Sequence, residues 1–149
     1  MWTKNSVFVI MPFSPDERLV KVYDVIKSEC RKLGLKAARA DEFVGAHRVI
    51  DQITDNIYNC EFIVCDLSEE RPNIYYELGF AHAAGNGPND ILLIAREGTI
   101  LHFDIAALRV RFYRDTRQLR SILANDLAEM IRLTRGRRVS QKRAKARKR

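Results

Sequence analysis

The chain has 149 residues and a formal net charge of +7, a length that makes one ordinary domain and buries roughly 70% of its unfolded surface without help from a disulfide or metal staple. No apolar run approaches the ~20 residues of a membrane span and the first residues lack a secretory pattern, so the expectation is a soluble, cytoplasmic protein with no membrane partner. The basicity is local: residues 135–149 hold nine of the 26 Lys and Arg and no acid, which leaves 17 basic against 19 acidic residues in the rest.

Ser6 to Met11 is a short β-branched apolar run and predicts a strand. Ser14, Pro15 and Glu17 have the spacing of a capping box, so a helix is expected to start there with Ser14 as its cap. Leu19, Val22, Tyr23, Ile26, Cys30 and Leu33 recur at three and four residues and mark its buried stripe, and Gly34 supplies a left-handed stop. Asp16 and Glu17 already occupy the positive end of this helix dipole, which argues against a phosphate cradle there.

A second strand, Leu35 to Arg39, runs into Asp41 and Glu42, and Gly45 opens a connection to a helix from about Arg48 to Tyr58. Val49, Ile50, Ile53 and Ile57 share one side of that helix, while Asp51 and Asp55 lie nearly opposite on a solvated face. Next, Phe62-Ile63-Val64-Cys65-Asp66 reads as a strand buried on both faces, as parallel sheets require. Pro72 then stands where a first helical residue would, and Gly85-Asn86-Gly87-Pro88 stops the helix that carries Glu77.

Ile91 to Ala95 is a fourth strand with Arg96 at its mouth, and Val110 to Tyr113 a short fifth. A last helix is expected from Thr116 to Thr134, with Leu119, Ile122, Leu123, Leu127, Met130 and Ile131 on one side. Beyond Gly136 the apolar periodicity ends and a disordered tail is expected. The division is therefore an α/β domain over residues 1–134 and a basic tail over 135–149. Strands alternating with helices imply a three-layer α/β/α, flavodoxin-like fold with about five parallel strands in the order 2-1-3-4-5.

The switch point of that order lies between strands 1 and 3, whose mouths carry Met11-Pro12-Phe13 and Asp66, with Glu77 just beyond. Each residue there has two readings. Glu77 is a catalytic carboxylate or a helix-surface acid in a salt bridge. Asp66 binds a substrate or is the acceptor of an Asx turn. Phe13 and Tyr76 offer an aromatic wall to a ligand, or belong to the core. Asp41 and Glu42 reach the rim of the crevice or form a solvated acidic loop. His47, His82 and His102 have no metal-ligand spacing, and His82 is about 500° around the helix from Glu77, so no Glu–His dyad is expected. Cys30, Cys60 and Cys65 lack a CxxC spacing and read as reduced, buried thiols.

Asp66-Leu67-Ser68, Pro72-Asn73 and Tyr76-Glu77-Leu78-Gly79, followed by Ala81 and Ala83, resemble the nucleoside 2-deoxyribosyltransferase and deoxynucleotide N-hydrolase superfamily. Toll/interleukin-1-receptor-like (TIR-like) NAD-cleaving domains are its structural relatives. Val7 to Phe13 is similar to the family's first strand and Pro-Phe substrate loop, and Arg39-Ala40-Asp41-Glu42 to the end of its second strand. The resemblance runs roughly from Ser6 to Ile131.

It implies cleavage of an N-glycosidic bond with Glu77 as the nucleophile and Asp66 holding the sugar or assisting the leaving base. Met11, Pro12, Phe13, Asp41, Glu42, Asn73 and Tyr76 would line the substrate site, with neither metal nor cofactor. The place of Glu77 near a helix start is expected to favour its ionised form. A nucleoside, a nucleotide or NAD is the implied small-molecule partner, and a homo-oligomer the implied assembly. Some hydrolases of the family carry a second acid on the second helix, where this chain aligns Ile53. Three functions stay open: an N-glycosidase or deoxyribosyltransferase, a TIR-like NAD glycohydrolase of bacterial defence, and a non-catalytic nucleotide sensor. The basic tail reads equally as a solubilising segment and as a weak nucleic-acid tether.

Overall fold

A computed structural model describes residues 3–42, 49–69 and 71–146. Five strands, β1 (Ser6–Ile10), β2 (Lys36–Arg39), β3 (Phe62–Asp66), β4 (Ile91–Arg96) and β5 (Val110–Tyr113), pair in parallel in the order β2-β1-β3-β4-β5. The helices are α1 (Glu17–Lys32), α2 (Val49–Asn59), α3 (Pro72–Ala83), a single turn α4 (Phe103–Ala106) and α5 (Thr116–Ala146). A 3-10 turn, Ala40–Glu42, follows β2.

The alternation of side chains along each strand builds two cores. Val7, Val9, Phe62, Val64, Leu92 and Ile94 face α1 and α5, where they meet Leu19, Ile26, Leu119 and Leu127. Phe8, Ile10, Ile63, Cys65, Leu93 and Ala95 face the other way, against Ile53 and Ile57 of α2 and Ile74, Leu78 and Ala81 of α3. Central strand β3 is buried at every position, which accounts for its unbroken apolar run. The buried carboxylate of Glu29 on α1 takes Lys32 at 2.7 Å and Arg120 at 3.0 Å, and the second contact ties α1 to α5.

Local stops behave as sterics requires. Gly34 sits at φ 72° and Gly85 at φ 94°, each closing the helix before it with an N–H to a carbonyl of the last turn. Pro72 opens α3. The start of α1 differs from expectation: Asp16 is the cap, accepting from the Arg18 N–H at 2.8 Å, and Ser14 Oγ instead accepts from the Asp16 N–H at 3.3 Å. Asp and Ser compete for this role on nearly equal terms, and the residue adjoining the first helical one won. On α2, Ile53 and Ile57 are buried but Ile50 is 40% exposed, so the apolar side is narrower than its sequence suggests. Gly45, His47 and Arg48 lie outside the described residues.

The end of the chain is a correction. Residues 135–146, expected to be disordered, continue α5 as helix to Ala146. Helix nucleation, the unfavourable step, is already satisfied by the packed turns from Thr116 onward, and Arg, Lys, Gln and Ala extend a helix readily. No helix among the described residues is long and apolar enough to cross a membrane.

Candidate active site

Pairing of Ile10 with Cys65 sets the mouths of β1 and β3 side by side, so Met11-Pro12-Phe13 and Asp66-Leu67-Ser68 leave the sheet as neighbours. Met11 and Pro12 are buried, and Phe13 is 53% exposed. Helix α3 begins four residues after Ser68 and presents Asn73 and Tyr76 outward, Tyr76 at 59% exposure. Neither aromatic ring is in the core, so the core reading of Phe13 and Tyr76 does not apply.

Glu77 points the other way. It is 8% exposed, on the face of α3 that also buries Ile74, Leu78 and Ala81, and among the described residues its carboxylate has no hydrogen-bond or ion-pair partner. Desolvation pushes its pKa from 4.5 up to about 7. The expected help from the helix dipole is missing because Glu77 is the sixth helical residue, past the first turn where that field acts. The surface-acid reading of Glu77 does not survive its burial.

Asp66 is more deeply buried, at 1% exposure, and its oxygens are engaged. Oδ1 accepts from the Ser68 N–H at 2.8 Å and Oδ2 from the Tyr113 hydroxyl at 3.0 Å. Ser68 Oγ accepts in turn from the Arg96 N–H at 2.7 Å and lies 3.3 Å from Tyr113 Oη. Burial raises the Asp66 pKa against the lowering effect of Ser68 and Tyr113. The Asx-turn reading thus has its bonds, and a network spanning β3, β4 and β5 is built on it. Asp66 falls in step with Phe62 and Val64, in the layer of α1 and α5, whereas Glu77 belongs to the layer of α3. Between them Cys65 is completely buried, and burial, then the charges of Asp66 and Glu77, push its thiol pKa well up. Cys30 and Cys60 are also free and buried.

Asp41 and Glu42 are already occupied. Arg39 forks onto Asp41 at 2.6 and 2.8 Å, which holds the Asp41 carboxyl below its usual range. The same guanidinium lies 4.3 Å over the Tyr23 ring and 5.7 Å from the Phe13 ring, and donates to the Pro12 carbonyl at 3.5 Å. Glu42 accepts from the Tyr23 hydroxyl and from Lys27. Arg39 is a residue whose role the sequence reading missed; its Arg-x-Asp spacing at a strand end was the available signal. Tyr113, 47 residues from Asp66, had none.

His82 is exposed, off the Glu77 face, as its helical position requires. Among the described residues no group of three His, Cys, Asp or Glu comes together to hold a metal. A hollow of about 400 Å³ lies at the opposite, amino-terminal ends of β4 and β5, beside Leu92, Leu108, Arg109 and Met130. Neither Glu77 nor Asp66 lines it.

No protein-family profile matches this chain, and no curated protein matches its sequence. Solved structures do. The CMP N-glycosidase BcmB of Clostridium botulinum superposes with a TM-score of 0.64 at 17% identity, covering 79% of this chain and 96% of that one. A 2-deoxyribosyltransferase of Bacillus psychrosaccharolyticus gives 0.58 at 16%, covering 77% and 90%. The diflavin flavoprotein A3 of Nostoc gives 0.56 at 14%, covering 93% and 99%. At these identities the likeness establishes the fold, a five-stranded doubly wound sheet that hosts more than one chemistry.

Proposed function

We propose that this protein cleaves the N-glycosidic bond of a nucleoside or nucleotide, with Glu77 as the attacking carboxylate. The observation that carries the reading is a buried carboxylate without a protein partner among the described residues, on the inward face of α3 and near enough to Cys65 of β3 for its charge to act on that thiol. Such a group is costly to keep in the fold, and a reaction that develops positive charge at a sugar's anomeric carbon gives it a purpose. Two of the structural neighbours, by their names an N-glycosidase and a deoxyribosyltransferase, support the same chemistry.

In this reading the Glu77 carboxylate bonds to C1′ as the C1′–N bond breaks, and the base departs with the bonding pair, taking a proton. Water or a second base then attacks C1′, releasing the sugar and restoring the carboxylate. Phe13, exposed past the end of β1, is available to stack the base, whereas Asn73 and Tyr76 lie on the outward face of α3, away from Glu77. Asp66 holds the turn between β3 and α3, so that Glu77 is delivered at a fixed angle. Asp41 and Glu42 act through Arg39 and Tyr23 as part of the wall. The test is incubation with nucleosides, deoxynucleotides, CMP and NAD, with chromatography for free base or nicotinamide. Glu77→Gln should abolish release, and release that survives it would remove the mechanism.

One observation favours a binding-only module: α2 offers no acid to the site, because Ile53 is in the core and Asp51 and Asp55 are exposed. That reading predicts thermal stabilisation by a nucleotide with no product.

A further inference from the structure

Helix α5 changes character at one place. It is packed through Thr134, which is 7% exposed, then Arg135 is half-buried and Gly136 and Arg137 are exposed. A Cβ built on Gly136 would meet nothing within 4 Å, so the helix turns an open side to solvent there. The residue before it is anchored. Arg135 donates to Asn5 Oδ1 at 2.7 Å and lies 3.8 Å from the buried Glu61, whose other oxygen accepts from the Asn5 N–H at 2.6 Å. The base of the extension is therefore tied to the starts of β1 and β3. Residues 136–146 continue as helix, a rod of roughly 16 Å at 1.5 Å per residue.

From Arg135 to Arg149 the sequence has nine Lys or Arg, no acid and no aromatic residue. The rest of the chain has 17 basic against 19 acidic residues, so the attraction for polyanions is concentrated in this segment. We propose that the extension is a duplex-DNA binding element that holds the phosphate backbone without reading sequence. This inference does not depend on the reaction assigned to Glu77.

The chemistry selects among polyanions. A membrane-surface helix needs a face of large apolar residues, and from Arg135 onward the apolar residues are only Val139, Ala144 and Ala146. Single strands are gripped by stacking bases on aromatic rings, which the segment lacks. A-form RNA has a deep, narrow major groove that gives a helix no seat between the phosphate rows. The major groove of B-DNA, about 12 Å wide, admits a helix. A segment already helical also loses less conformational entropy on docking than a disordered tail would.

The test is fluorescence anisotropy of the full chain with a short labelled DNA duplex of arbitrary sequence, across a salt series. Binding should weaken linearly in log–log form, by about 0.9 in slope for each phosphate neutralised, and a second duplex of unrelated sequence should bind equally. Replacing Arg137, Arg138, Lys142, Arg143 and Lys145 together by Gln, which keeps helix propensity, should weaken binding at least ~10-fold and flatten the salt slope. Circular dichroism checks that the variant is still folded. Salt-insensitive binding, equal binding by the Gln variant, or stronger binding to single strands, duplex RNA or phosphatidylserine vesicles would overturn the proposal.

Discussion

The Tyr113 hydroxyl donates to Asp66 Oδ2 at 3.0 Å, joining the last strand of the sheet to the strand at its centre. Both groups are buried, so the bond is not in competition with water. Tyr113→Phe deletes the donor and leaves a buried carboxylate one partner short. The expected loss is about 1–2 kcal/mol in urea unfolding, and Asp66→Ala, which orphans the Ser68 N–H and leaves the Tyr113 hydroxyl only its 3.3 Å contact with Ser68 Oγ, should lose more. An unchanged midpoint for Tyr113→Phe would mean that the contact is idle.

Glu77 should trade stability for function. Its folded pKa of about 7 lies above the 4.5 of the unfolded chain, so the folded state holds the proton more tightly. The contribution of this group is most favourable below pH 4.5, declines as pH rises to about 7, and is level above that. Across that window the loss is roughly 3 kcal/mol. Glu77→Gln removes the titration, so at pH 8 the variant should melt higher than the parent, with the difference vanishing near pH 4. A variant that melts lower at pH 8 would contradict the desolvated carboxylate.

The same ionisation should shape catalysis. A nucleophile must be deprotonated, so kcat/KM for base release should climb with pH and level off above about 7. Glu77→Gln should fall by ~10³-fold or more at every pH. A rate that instead drops on the alkaline side of 7 would make Glu77 a proton donor rather than the attacking group.

Arg39 should control Phe13 through one guanidinium shared with Asp41, Tyr23 and Pro12. Arg39→Met keeps the stem and deletes the fork. Base stacking on Phe13 should then suffer, with KM rising several-fold and kcat changing less. Lysine, a point charge without the planar fork, should not restore it. Equal effects on KM and kcat would point to general unfolding of the loop instead.

Much of the fold was legible in order along the chain, because the signals are local. The buried run of β3, Pro72 at the start of α3, and Gly34 and Gly85 past their helices each act within a few residues, through sterics and the satisfaction of backbone groups. Strand alternation with helices then leaves few topologies, and the order 2-1-3-4-5 is among them. The burial of Glu77 was half-legible: its motif marked it, but a weakly amphipathic helix with Tyr76 and Glu77 adjacent did not say which of them faces inward. The helix beyond Gly136 was misjudged because apolar periodicity reports packing, whereas α5 is extended there by propensity from an established helix.

By itself the sequence determined the elements, their order and the strand–turn–helix unit that carries Glu77. Only the tertiary structure decided that Asp66 is spoken for by Tyr113, that Arg39 lies over the Phe13 ring, and that burial pushes the Glu77 carboxyl up to about 7. The reason is physical: helix and strand signals come from neighbours along the chain, whereas the partner and dielectric surroundings of a buried polar group come from neighbours in space.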